Sequence, residues 1–272
     1  MTTITTREQS ITDKDPLIGS SAQNKLAVIF CAKNCEKTVG YAISSAKKSH
    51  FFRQGNGITI VIDGFSTDNT RQVAKEAGAS LVIQQPSRKF PGKGMAMKAG
   101  LEAAINAEVD AAVFLDADIK NLTPEWIDLL SEAVLNRGFD MARGYYDRHP
   151  RDAAVTKLIA KPMLSIFFSE LTNVEQPLSG EVCGSTKAWK ALLNRAEKPP
   201  DGWGIDVWFL IEAAMSGFKV NEVYLGKKDH SSFNEYKEDV GILSKMAEQV
   251  LFTILKEAVK HGKFDQYQSV DT

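Results

Sequence analysis

The sequence predicts an α/β fold with a mostly parallel central sheet and helices on both faces. Two observations carry that expectation. Short apolar runs alternate with stretches of helical spacing through the first half of the chain, and a β-α-β-α order of this kind makes parallel sheets. Each apolar run then stops abruptly at polar residues: Asn34, Asp63, and the pair Asp116 and Asp118. Ligands of open α/β sheets collect beyond the carboxyl ends of the strands, so these residues mark one candidate edge.

Residues 1–24 are polar, rich in Thr and Ser and without periodicity, which predicts a mobile tail. The first strand begins at Leu26-Ala27-Val28-Ile29-Phe30 and ends in Cys31-Ala32-Lys33-Asn34, with a helix over 36–48. A second strand, Ile58 to Ile62, runs into Asp63 and the turn Gly64-Phe65-Ser66-Thr67-Asp68-Asn69-Thr70. Ser66 or Thr67 is expected to cap the helix that reaches Gly78. Leu81-Val82-Ile83 is a short third strand. A loop with Pro86, Pro91, Gly92 and Gly94 precedes a helix over 94–106. The run Ala111 to Leu115 is the most apolar strand, and Thr123-Pro124 starts the next helix, which Gly138 follows.

The second half is less regular. A strand is expected over Met141 to Tyr146 and a helix over Ala154 to Glu170. Gln176-Pro177-Leu178-Ser179-Gly180-Glu181 reads as a turn, as does Gly202-Trp203-Gly204-Ile205-Asp206, which opens a helix to Met215. A strand over Phe218 to Leu225 precedes His230, and the spacing of Ile242, Met246, Val250, Ile254 and Val259 predicts a long packed helix over 240–260. The division expected is a donor-binding half over 25–138, an acceptor-binding half over 139–262 and a tail over 263–272.

With Lys+Arg 33 against Asp+Glu 34, the chain has no basic excess for nucleic acid or anionic membrane. No apolar run approaches the ~18 residues of a membrane-spanning helix. Cys31, Cys35 and Cys183 form no CxxC pair and lack a second ligand pair for zinc, so reduced thiols and a cytoplasmic location are expected. GxGxxG and GxxxxGK[ST] are missing where a phosphate loop would need them, which disfavours dinucleotide dehydrogenases and P-loop enzymes.

Residues 116 and 118 share a strand face, and two carboxylates aimed at one spot favour a bound cation. For a bare Asp-x-Asp a solvated turn is the usual reading. The position at the end of a buried strand favours the metal.

Taken together, CAKNCEKTVG, IDGFSTDNT, PGKGMAMKAG, FLDADI, RGYYDR, QPLSGE, GWGIDVWFLIE and LGKKDH resemble, in order, the motifs of GT-A-fold glycosyltransferases. The chain is most similar to the glucosyl- and mannosyl-3-phosphoglycerate synthases, over roughly residues 25–250. The resemblance implies a hexosyltransferase using a UDP- or GDP-linked sugar, with Mg²⁺ or Mn²⁺ as cofactor, a small anionic acceptor such as 3-phosphoglycerate or glycerate, retention of configuration, and a homodimer. It assigns Ala32, Asn34, Glu36, Asp63, Lys93, Asp116, Ala117 and Gly180 to the donor. Asp118 and His230 become metal ligands. Thr156, Arg151, Trp203 and Ser232 fall to the acceptor, and Asp206 and Lys93 to catalysis. Asp206 would be the base in an inverting enzyme and a positioning group in a retaining one.

The chain departs from that pattern at several positions. Cys31 and Cys35 stand where proline and an acid are usual, and Gly64 where serine is frequent. Ala154 replaces an arginine before Thr156, with Arg148, Arg151 and Lys157 nearby, and Ser232 replaces an asparagine. Two other classes remain open. A nucleotidyltransferase would show a glycine-rich basic loop after the first strand, and CAKNCEK has no glycine. A non-catalytic binding module would tolerate loss of Asp118 or His230.

Overall fold

The computed structural model describes residues 4–5, 24–89, 92–148, 152–230 and 240–264. In chain order these form β1 (Ile4–Thr5), β2 (Leu26–Ala32), α1 (Val39–Ala46), α2 (His50–Arg53), β3 (Gly57–Asp63), α3 (Thr70–Glu76), β4 (Leu81–Gln84) and α4 (Lys93–Asn106). They continue with β5 (Ala111–Asp116), α5 (Pro124–Leu135), β6 (Met141–Asp147), α6 (Lys161–Phe167), β7 (Val182–Ser185), α7 (Thr186–Leu193), α8 (Ile205–Met215), β8 (Val220–Lys227) and α9 (Val240–Lys260). One eight-stranded sheet runs β1-β8-β6-β7-β5-β2-β3-β4. Neighbours are parallel except where β7 lies antiparallel to both β5 and β6.

Strand alternation sorts the apolar residues onto two faces. Leu26, Val28, Phe30, Val113 and Leu115 pack with α1 and α5. Ala27, Ile29, Ala112 and Phe114 pack with α4, α7 and α8 on the opposite face. Helix α4 crosses β2 closely at Gly100, where any side chain would press on Ile29. A third cluster joins α6 and α9 to the outer side of α8. Both faces of the central strands are therefore covered, which explains their continuous apolar runs.

The register places the candidate edge. Ala32 pairs with Asp63, Cys31 with Asp116, and Asp63 with Gln84, so the ends of β5, β2, β3 and β4 lie side by side.

Several expectations change. Ile4–Thr5, inside the expected tail, pair with Val220 and Asn221 as an edge strand. The expected tail over 263–272 begins packed, with Lys263 bonded to Glu170 and Phe264 against Phe167. The helix expected over 36–48 is α1, at Val39–Ala46, and the short α2 at His50–Arg53 follows beyond it. Neither Ser66 nor Thr67 caps α3, which starts at Thr70 after Asn69; both side chains bind Asn34 instead. The helix expected over 154–170 is a π-helical turn at Thr156–Ala160, α6, and a 3₁₀ turn at Ser169–Leu171. Strand β7 and helix α7 carry no expectation from the sequence, and β7 joins the two halves of the chain into one sheet.

Candidate active site

The loop after β2 and the loop after β3 are tied together reciprocally. The Asn34 backbone N–H donates to Ser66 Oγ (2.9 Å), and the Thr67 N–H donates back to Asn34 Oδ1 (2.9 Å). The Asn69 N–H donates to Glu36 Oε2 (3.0 Å), and the Glu36 N–H to Asp68 Oδ2 (3.1 Å). Asn34 holds a positive φ of 54°, a conformation asparagine tolerates. Asp63 is fully buried, and its carboxylate accepts the Ser66 N–H. Of the expected donor residues, Asn34, Glu36, Asp116 and Ala117 line one cavity of about 430 Å³. Ala32, Lys93, Asp116 and Trp203 line a second, of about 180 Å³. Cys31, Lys33 and Asp116 belong to both walls, so the two form one trench along the strand ends. Asp63 lines neither cavity and supports the wall from beneath.

At the centre lies a chain of charges. Lys93 Nζ is 2.8 Å from Asp206 Oδ2 and 3.6 Å from Asp116 Oδ1. Lys228 Nζ is 2.8 Å from both Asp116 Oδ2 and Glu181 Oε1, and it lies over the Tyr146 ring. Burial opposes the Asp116 charge, but Lys228 and Lys93 outweigh it and hold its carboxyl well below the usual carboxylate range. Burial likewise opposes the Lys228 charge, and Asp116 and Glu181 hold that ammonium well above the usual lysine range. Asp206 goes the other way. Its burial outweighs Lys93 and pushes its carboxyl up. Its second oxygen, Oδ1, is buried and accepts no hydrogen bond among the described residues.

These side chains are held from behind. Helix α4 starts against the loop before α8, where the Met95 N–H donates to the Asp201 carbonyl (3.1 Å) and Lys98 meets the Asp201 carboxylate. That contact brings Lys93 to Asp206 on the first turn of α8. The Gln176–Glu181 turn is set by two buried ions. Arg143 donates to the carbonyls of Pro177 and Ser179, and Glu222 accepts the N–H groups of Glu175 and Gln176. The turn presses Gly180 against Asp116, where a Cβ would lie 2.6 Å from Oδ1. Glycine is required there because the carboxylate cannot recede without leaving both lysines.

His230 reaches the site from the far end of the sheet. It forms an isolated bridge with Ile119, and the Lys120 N–H donates to the Asp229 carbonyl (2.8 Å). This docking sets His230 Nδ1 3.9 Å from Asp118 Oδ2. Two ligand atoms at that spacing fit a single Mg²⁺ or Mn²⁺, whose bonds of about 2.1 Å would span the gap. On its other side, His230 Nε2 lies 3.1 Å from Asp152 Oδ2 and 3.0 Å from Arg148 Nη2. A carboxylate behind a ligating imidazole fixes the ring's orientation. Burial and the neighbouring Asp116 push the Asp118 carboxyl up, a repulsion that a cation would relieve.

Thr156 is buried in the π-helical turn. Arg151 and Ser232 lie outside the described residues. Sequence reasoning did not assign Lys228, Arg143, Asp152 or Gln85. The available signal was a charge inside an apolar strand for Arg143 in MARGYYD; Lys228 stood unused within the LGKKDH motif.

A family profile described as "Mannosylglycerate synthase, GT domain" matches residues 37–246. The chain belongs to this family of glycosyltransferases. Among the family's relatives, the glucosyl-3-phosphoglycerate synthase of Petrotoga mobilis is 31% identical over 258 residues, spanning 89% of this chain and 75% of that protein. The crystal structure of glucosyl-3-phosphoglycerate synthase from Mycobacterium tuberculosis in complex with Mn²⁺, UDP and phosphoglyceric acid superposes with a TM-score of 0.74. It has 28% identity and covers 87% of this chain and 79% of that one. The same enzyme with Mg²⁺ and UDP gives 0.77 at 27% identity, over 94% and 86%. The chain is thus an enzyme with the GT-A fold, as its motifs implied.

Proposed function

We propose that this enzyme transfers a hexose from a UDP- or GDP-linked sugar to a small hydroxylated acceptor, with retention of the anomeric configuration. The observation that carries the reading is the approach of His230 to Asp118 at the end of β5, beside a trench lined by Lys93 and Asp116. The relatives support it: the mycobacterial enzyme has been crystallised with Mn²⁺ or Mg²⁺ together with UDP. Asp118 and His230 would hold the metal, which supplies Lewis-acid neutralisation of the departing diphosphate.

The chain's own groups divide the remaining work. Lys93 sits between Asp116 and Asp206, placed to meet phosphate charge as it develops. Among the described residues no donor meets Asp206 Oδ1, and a sugar hydroxyl satisfies it. An anchor of that kind positions the hexose, as retention requires. Lys228 and Glu181 keep Asp116 in place from below.

The acceptor is read from Arg148. Its Nε is 2.9 Å from Asp152 Oδ2, so its charge is already matched. With Ala154 in place of the family's arginine, the described acceptor side favours a single carboxylate over a phosphorylated acid. Glycerate or a related hydroxy acid is the reading this supports; 3-phosphoglycerate is the alternative carried by the relatives.

The test is a donor screen with and without Mn²⁺, then competition between glycerate and 3-phosphoglycerate on the donor found. Metal-dependent transfer with an unchanged anomeric configuration in the product's NMR spectrum is expected. Metal-independent turnover, or an inverted product, would overturn the respective part of the proposal.

A further inference from the structure

Trp203 stands in the wall of the 180 Å³ cavity, beside Lys93 and Asp116. It lies between Gly202 and Gly204, just ahead of Asp206. Two glycines let the backbone come close to a neighbour, and they also leave it many conformations. A contact from outside the turn must therefore hold it, and helix α9 does so at two points. The Trp203 N–H, ahead of α8 and outside its ladder of bonds, donates to Gln249 Oε1 at 2.9 Å. The donor is a backbone N–H, so the amide presents its oxygen there. One turn further along α9, Thr253 Oγ1 donates to the Gln249 carbonyl (2.8 Å) and faces Gly204. A Cβ on Gly204 would run into Thr253 Oγ1 and lie 3.1 Å from the Gln249 carbonyl. Gly204 has an ordinary helical φ of −66°, so glycine stands there for clearance and not for its backbone angle.

Helix α9 is a firm support for that contact. Val250 and Ile254, the neighbours of Gln249 and Thr253, are buried in one apolar cluster with Val207, Leu210 and Ile211 of α8. On the other side of the turn, the Met95 N–H of α4 holds the Asp201 carbonyl. The segment 201–204 is thus pinned from both sides. Asp206 leaves it on the first turn of α8, with Oδ2 2.8 Å from Lys93 Nζ.

We propose that Gln249 is a positioning residue for the transfer: by holding the Trp203 N–H it fixes the turn that aims Asp206 at the sugar and sets Trp203 in the trench wall. This inference rests on the reading given above, in which Asp206 anchors the hexose. Gln249 lines neither cavity and touches no reacting atom. Its loss frees a turn bounded by two glycines, and a shift of about 1 Å in a positioned group costs about 10²-fold in rate. The nucleotide's phosphates are met by Lys93 and the metal ligands, so the loss falls on placement of the sugar rather than on the hold on the nucleotide.

The experiment compares Gln249→Met, of similar length without the acceptor, with Gln249→Glu, which keeps an oxygen at the same reach. It reads kcat and donor KM on the donor found in the screen, together with acrylamide quenching of tryptophan fluorescence. Trp126, Trp189 and Trp208 are buried and Trp203 is half-buried, so quenching reports chiefly on the turn. Gln249→Met should lower kcat by about 10–10²-fold, change donor KM by less than about three-fold and raise the quenching constant. Its melting temperature should stay within about 4 °C of the parent's. Gln249→Glu should bring kcat back to within about three-fold of the parent and quenching back to the parent's level. On the unaltered protein, the Trp203 amide should exchange with solvent at least about ten-fold more slowly than an unbonded loop amide. That measurement needs no substitution, so misfolding of a variant cannot mask the answer. A kcat for Gln249→Met within about two-fold of the parent, equal losses in the Met and Glu variants with quenching unchanged, or fast exchange of the Trp203 amide would overturn the role of Gln249 and leave the transferase reading standing. Failure of the unaltered protein to turn over any nucleotide sugar would overturn both.

Discussion

Helix α8 carries a charge network at each end, and the two differ in how completely they are satisfied. At its first turn Asp206 joins Lys93, Asp116, Lys228 and Glu181 along the trench. Two turns on, Glu212 meets Arg195, Lys260 and His261, and Glu257 of α9 shares Lys260 and His261. Glu212, Glu257 and His261 bring their ligand atoms within 4.8 Å of one another, the spacing of a metal site. The Lys260 ammonium already stands among them, at 2.9 and 3.1 Å from the two carboxylates. This second network is closed, and it rivets α9 to α8. The first leaves Asp206 Oδ1 without a donor among the described residues and brings Asp118 Oδ2 to 3.9 Å from His230 Nδ1. Spacing of carboxylates alone marks both as sites. The difference lies in whether lysines and arginines have answered the charge.

The comparison can be broken in order of expected effect. Asp118→Asn should lower metal-dependent turnover by about 10²–10³-fold with little change in thermal stability, read from kcat and a melting curve without added metal. Loss of stability comparable to a core substitution would move Asp118 into the structural class. Lys228→Met should strike both properties, because it strands Asp116 and Glu181 in the interior. Removal of one partner from a buried ion pair costs about 3–5 kcal/mol, and the loss here is expected in that range by denaturant titration. A variant that melts like the parent would show that water enters behind Asp116.

Glu212→Gln should do the opposite of Asp118→Asn. It leaves Arg195 and Lys260 with less charge to meet, for a destabilisation of about 1–3 kcal/mol. Turnover per folded molecule should stay within two-fold of the parent, and a large fall in kcat would tie the second network to the chemistry. The smallest effect is expected at the thiols. Burial pushes both Cys31 and Cys35 up to about 12, so alkylation at pH 8 should run at least ten-fold more slowly than for a free thiol. Rapid labelling of Cys35 would show that the loop after β2 opens.

Much of the first network was legible before the fold. The strand ends at Asn34, Asp63 and Asp116 appear as sudden stops in apolar runs, and such stops need no tertiary information. The glycines of PGKG and GWGID mark backbone that can approach a ligand closely, and the resemblance to the family singled out Lys93 and Asp206 beside them. Lys228 was hidden for a physical reason. Lysine is usually a solvated surface charge, and only the meeting of β8 with the Gln176–Glu181 turn buries it.

The sequence by itself determined the strands of the first half, the sheet edge along which the trench runs, and the residue types available there. Those follow from local periodicity and from turn chemistry, which each segment carries alone. Tertiary structure decided what the charges do. It reversed β7, added Ile4–Thr5 to the sheet, brought His230 across to Asp118, and set Arg195 and Lys260 against Glu212. A carboxylate's role depends on what stands within a few ångströms of it in space, and a linear sequence does not specify those neighbours.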